Sequence, residues 1–226
     1  VMIADIDAAG AQRACDTLTK ELGERFAWID GDLSKEGVAE KAVTATIKRF
    51  GRIDTLVNNA AALIRMPLTD FSEELLQKAV DWNVWNTLRC CKAVLPHMTA
   101  QGYGRIVNIG GEAWRLGTPY HSVLGGVGKG SMVGLTATLA GETSKLGITV
   151  NCVSPGGIDS QDDGDPDKPA SSRDDSWNPP YVMEELGKLR GSPTAIGRLA
   201  HPTEVASAVA YLGSPEASFV TGQHLG

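Results

Sequence analysis

Residues 104–142, GRIVNIGGEAWRLGTPYHSVLGGVGKGSMVGLTATLAGE, admit few folds. Residues 105–109 form a short apolar run that reads as a strand buried on both faces of a parallel sheet. A polar, Gly-rich loop follows. Small and apolar residues then run from 126 to about 146 with the spacing of a buried helix. In an open parallel α/β sheet, ligands bind at the carboxyl ends of strands, so the loop is expected to face one. Lys129 is the only Lys or Arg between Arg115 and Lys145, and the pattern predicts it in the helix's first turn. A cation there opposes the helix dipole, which argues for a role in chemistry.

Size and charge narrow the function. The 226 residues suit one domain with room for a substantial core. The net charge is −6 and its charges alternate along the predicted helices, which argues against a nucleic-acid partner because a basic face would be needed. No apolar run approaches the roughly 18 residues of a membrane span. No stretch has the pattern of a secretory leader, so a cytoplasmic protein is expected. Cys15, Cys90, Cys91 and Cys152 make no C-x-x-C pair and read as buried reduced thiols. The four histidines lack ligand spacing, so no metal site is expected.

In chain order, residues 1–5 read as a buried strand ending at Asp5, with Asp7 capping a helix over 8–22. Residues 26–30 are a second strand, followed by Asp32 or Ser34 as cap of a helix ending near Phe50. Residues 53–57 form a third strand. Residues 71–100 predict one long helix, or two with a break near Pro96. Trp82 and Trp85, three apart, share a face and suit packing or subunit contact. Residues 202–213 predict a last helix capped by Thr203, with Glu204 in its first turn. Residues 159–180 are polar and Pro-rich, and a loop of that length suits an active-site lid, with Trp177 its best anchor to a substrate.

The NIGG after the 105–109 strand, the Lys129 helix, and Val150-Asn151-Cys152-Val153-Ser154-Pro155-Gly156-Gly157 resemble the short-chain dehydrogenase/reductase family. Leu135, Ala140 and Glu142 keep the same register. The resemblance implies a single Rossmann-like α/β domain, a doubly wound parallel sheet with helices on both faces. It also implies one more βα unit ahead of Val1, about 30 residues carrying a Gly-rich turn, and a last strand continuing past Gly226.

The site follows from the same likeness. NAD is the expected cofactor, because Asp5 at the strand end would bond the adenosine ribose and repel a 2′-phosphate, with no Arg before Arg13; the bland reading is a strand-end polar residue. Asp32 and Leu33 would meet the adenine edge, Asn59 and Ala60 would pass beneath the cofactor, and Pro155, Gly156 and Ile158 would present backbone to the nicotinamide. Lys129 would reach the ribose. Asn83 would hold a proton-relay water, or be a helix Asn bonded to a nearby carbonyl. The family's Ser and Tyr positions fall on Gly111 and Gly125, so the usual proton donor is replaced. Tyr120, His121, Ser122 and Glu112 are the candidate substitutes, with Glu112, Trp114 and Trp177 toward the substrate. The expected activity is oxidation or reduction of a cyclic or small secondary alcohol by a homotetramer or dimer. The alternative is a non-redox lyase or dehydratase, or a silent cofactor-binding homologue.

Overall fold

The 105–109 run does form a strand, β4 (Gly104–Ile109), buried along nearly its whole length because helices cover both sheet faces. The computed structural model describes residues 1–117, 123–158, 179–181, 184 and 196–226. Their order is β1 (Met2–Asp5), α1 (Ala8–Leu22), β2 (Ala27–Asp30), α2 (Val38–Phe50), β3 (Thr55–Asn58), α3 (Glu73–Val80), α4 (Asn86–Gln101), β4, α5 (Ala113–Leu116), α6 (Val123–Thr143), β5 (Ile148–Val153), α7 (Pro202–Leu212) and β6 (His224–Leu225). All strand pairs are parallel, as helical crossovers require. One ladder is β1–β2 and the other runs β3–β4–β5–β6. This is the Rossmann-like α/β architecture expected.

The core lies against both faces of the β4–β5 centre. On one face Ile106, Ile148 and Val150 pack with Val94, Met98 and Leu139 from α4 and α6. On the other, Val107 and Val153 pack with Leu212 of α7. Each such side chain fully buried contributes about 1.5–3 kcal/mol. A polar line crosses the sheet beneath them: Asn58 Nδ2 donates to Asn108 Oδ1 at 2.8 Å, and Asn108 Nδ2 donates to Thr136 Oγ1 at 2.9 Å.

Helix α1 has the predicted bounds, and Asp7 Oδ1 caps it through the Gly10 N–H. Elsewhere local signals lost to tertiary ones. The long helix breaks not at Pro96, which sits inside α4, but at a π turn, Asp81–Trp85. The cap of α2 is Gly37, and Asp32 instead accepts from Ser34 N and Oγ in the turn before it. The cap of α7 is His201, in a reciprocal box with Glu204, and not Thr203. Helix α6 already runs at Val123, which puts Lys129 in the second turn. Lys129 there opposes little of the helix macrodipole, whose effect fades beyond the first turn. Among the described residues no helix is long and apolar enough to cross a membrane, and no group of three His, Cys, Asp or Glu could hold a metal.

Candidate active site

The end of β4 and the start of α6 meet at Lys129. Its Nζ donates to the Ile109 carbonyl at 3.0 Å. Gly111 lies on the lysine stem: a Cβ added there would sit 3.5 Å from Lys129 Cγ and 3.9 Å from Cε, ordinary contact that admits a small side chain. At Gly128, a Cβ would fall 2.6 Å from Asn83 Cβ, nearer than real carbons pack.

Asn83 is buried on the π turn, the kind of helical defect that recurs at functional sites. Its Nδ2 donates to Ala79 O at 2.8 Å and Ala62 O at 2.7 Å. The first bond is the i−4 carbonyl bond weighed against a water-holding role. The second ties in the loop after β3. Both amide hydrogens are thus engaged in backbone contacts.

Beneath the Gly110–Gly111 turn, Ser154 Oγ accepts the Gly111 N–H at 3.1 Å. Cys152 lies beside it. Burial pushes its thiol up, partly offset by hydrogen bonds from Ser154 and Gly110 and by the Lys129 charge.

Glu112 and Trp114 form a second wall. Arg115 Nε donates to Glu112 Oε2 at 2.8 Å, and its Nη2 joins the same oxygen. Glu112 Oε1 faces His224 Nε2 at 3.7 Å, and neither atom has a hydrogen-bond partner among the described residues. The Trp114 and His224 rings meet edge-on, centroids 5.7 Å apart. Sequence reasoning missed His224; its only signal was a polar residue in a short terminal strand. Tyr120, His121, Ser122 and Trp177, with 159–178 of the proposed lid, lie outside the described residues.

The cofactor-side residues stand in a row at strand exits. Asp5 ends β1, where its Oδ1 accepts the Asp7 N–H at 2.9 Å. Arg13 turns to Asp7, 4.0 Å away, leaving Asp5 without that cation. Asp32 is opposed by burial, yet Ser34, Trp82 and Lys35 hold its carboxyl below the usual range. Leu33 is partly buried against the core and lines a cavity of about 220 Å³ with Ala4, Ile29 and Val38. Asn59 and Ala60 are exposed after β3. Ala60 O accepts from Asn86 Nδ2 at 2.6 Å. Pro155 and Gly156 follow β5, and a Cβ at Gly156 would meet nothing within 4 Å. Ile158 bridges Ala200. Carboxylates at β1 and β2, open backbone after β3 and β5, and a lysine between them fit a dinucleotide lying across the carboxyl edge.

A parallel sheet with helices on both faces defines a Rossmann-like α/β class. The family model described as enoyl-(acyl carrier protein) reductase matches residues 1–226, and the chain belongs to the short-chain dehydrogenase/reductase family. It is 36% identical over 223 residues to a 2,3-dihydroxy-2,3-dihydro-p-cumate dehydrogenase of Pseudomonas putida, covering 99% of this chain and 81% of that protein. It is 34% identical over 209 residues to a 1,6-dihydroxycyclohexa-2,4-diene-1-carboxylate dehydrogenase of Acinetobacter baylyi, covering 91% of this chain and 77% of the other. A 3-oxoacyl-[acyl-carrier protein] reductase with bound NAD from Brucella melitensis superposes with TM-score 0.78 at 30% identity, over 100% of this chain and 78% of that one. ElxO with NADP bound gives 0.80 at 26% identity, over 100% and 85%.

Proposed function

We propose that the chain is an NAD-dependent oxidoreductase acting on a cyclic or small secondary alcohol or ketone, with a proton donor other than the family's Tyr. The observation that carries it is Lys129 at the end of β4, against Gly111 and beside the row of strand-exit residues. Names of relatives that act on cyclic dihydrodiols support the substrate class. When bound, an oxidised nicotinamide supplies the acceptor for a carbinol hydrogen and its electron pair. Asp5 would hold the adenosine ribose, Asn59 and Ala60 would underlie the cofactor, and Lys129 would fix the nicotinamide ribose. Pro155, Gly156 and Ile158 would face the nicotinamide with backbone. NAD is favoured over NADP because Asp5 repels a 2′-phosphate and the next arginine along the chain, Arg13, pairs with Asp7.

The chemistry lacks one ordinary part. In this family a Tyr beside Lys⁺ moves the hydroxyl proton, since the cation lowers a phenol pKa from about 10. Glycine at 125 cannot do so, and losing a general acid/base costs about 10² to 10⁴-fold. That same glycine favours the second reading, a non-redox or silent homologue. The assembly is a homo-oligomer, dimer or tetramer, formed through α4 and α6, which bound an open groove lined by Leu88, Leu95, Leu135 and Leu139. Its location is the cytoplasm. Absorbance at 340 nm with either cofactor and a panel of cyclic cis-diols tests the reading. Turnover, faster with NAD, is expected, and Asp5→Ala should narrow that preference. No turnover on any member leaves the second reading.

A further inference from the structure

We propose that His224 accepts and returns the substrate's hydroxyl proton, and that Glu112 is the residue that positions it; this rests on the oxidoreductase reading above. The two come from different strand ends, Glu112 just after β4 and His224 within β6, with β5 between them. The Glu112 side chain is nine-tenths buried and the His224 side chain about three-quarters buried. Glu112 Oε1 and His224 Nε2 are each buried without a hydrogen-bond partner among the described residues. Buried polar atoms are seldom left so, and those that are call for a functional account. At 3.7 Å the pair is about 1 Å from a hydrogen bond, a gap that small side-chain rotations close.

The surroundings orient the pair. Arg115 holds Glu112 Oε2, which turns Oε1 toward the imidazole. Trp114 sets the ring plane by its edge contact. Once Nε2–H is donated to Oε1, the tautomer is fixed and Nδ1 becomes the proton acceptor, the same logic by which a carboxylate orients a catalytic histidine elsewhere. The pair also borders the lysine. Glu112 adjoins Gly111, whose Cα carries no side chain between it and Lys129, and Cys152 feels the charges of both Lys129 and Glu112.

The balance is that of alcohol oxidation. The O–H bond breaks and its proton passes to His224 Nδ1, giving an imidazolium beside the Glu112 carboxylate. The oxygen's electron pair forms the C=O bond, and the co-reactant of the reading above, an oxidised nicotinamide, would take the carbinol hydrogen with its C–H electron pair. Ketone reduction reverses each transfer. A base must be neutral to accept the proton. Among the described residues, Arg115 on α5 pairs with Glu112, and Cys152 on β5 feels the charges of both Lys129 on α6 and Glu112.

The test uses the whole protein with one active cyclic diol. His224→Gln should lower kcat by about 10² or more, flatten the acid limb of the kcat/KM profile, and leave cofactor affinity within about twofold. His224→Ala should regain turnover with added imidazole. Nitrogen-15 spectra of histidine-labelled, cofactor-free protein should show His224 as the Nε2–H tautomer, and Glu112→Ala should abolish that signature. If His224→Gln does not fold, His224→Asn carries the same measurements. Turnover retained within twofold by the His224 variants, with Tyr120→Phe or His121→Ala inactive, overturns the proposal alone. No turnover by the unaltered protein sinks the oxidoreductase reading and this proposal together. An unchanged tautomer in Glu112→Ala removes Glu112 from it.

Discussion

Gly128→Ala tests the contact that seats Lys129. The added Cβ would lie 2.6 Å from Asn83 Cβ and 3.3 Å from its Cγ, where ordinary contact begins at 3.4 Å. Helix α6 or the π turn must therefore yield by about 0.8 Å, and overpacking of this kind costs about 1–3 kcal/mol. If Asn83 swings away, its bonds to Ala62 and Ala79 are lost, at about 1 kcal/mol each. Alanine's better helix propensity returns about 1 kcal/mol. The net is a destabilisation of about 2–4 kcal/mol, which for a chain of this size lowers Tm by roughly 5–15 °C. Because Lys129 is the next residue, the same shift misplaces its ammonium, and an error near 1 Å costs about 10² in rate. Differential scanning fluorimetry and turnover on the same sample measure both. An unchanged or raised Tm would show that α6 does not rest on Asn83, and the account of how this lysine is placed would fail.

Three other outcomes are expected. Burial pushes the Cys90 thiol up to about 11 and the Cys91 thiol up to about 12, the N–H from Asn58 offsetting little of the latter. These raised values mean that the folded state holds the protons more tightly. The stability they contribute is complete below about pH 8.5, the unfolded value. It is lost as pH rises toward 11 and 12, so the urea midpoint should fall from pH 8.5 upward, and less steeply in Cys91→Ala. A Cβ at Gly134 meets nothing within 4 Å in this chain. Gly134→Ala should therefore stabilise a monomer by about 0.5–1 kcal/mol but weaken an assembly packed on α6, and sedimentation beside a Tm reading separates the two. Gly111→Ser with Gly125→Tyr should restore at least tenfold turnover to His224→Gln, since position 111 accepts a Cβ in ordinary contact with Lys129. Failure of a folded triple variant to gain activity would refute the register placing those glycines.

The sheet, its direction and its central strand were legible because a doubly buried parallel strand needs an unbroken apolar run, which 105–109 supplies. Helix α1 and the Asp7 cap were legible because an N-cap is a local bond over three residues. The π turn was not. It is fixed by Asn83 and Asn86 donating to the loop carbonyls of Ala62 and Ala60, partners more than twenty residues away. Pro96 misled because a proline removes one bond yet is tolerated where packing holds the helix, as neighbouring Val94 and Met98 are fully buried. The sequence placed Lys129 and Glu112 in the loop and helix that follow β4, where the structure has them. His224 was not legible, because nothing in a terminal Gln-His-Leu declares that its ring will meet a carboxylate two strands over.

The line from Asn58 through Asn108 to Thr136 has a consequence for how the molecule assembles. Asn108 is fully buried, and it finds partners only when β3, β4 and α6 are all in place and in register. A strand slipped by one residue would aim that amide at the opposite face, among apolar side chains. Any partly formed sheet must therefore either keep Asn108 in water or leave it unsatisfied in the core. Intermediates that bury the hydrophobic strands early are thereby raised in energy, and these three segments should exchange their amide hydrogens as one cooperative unit.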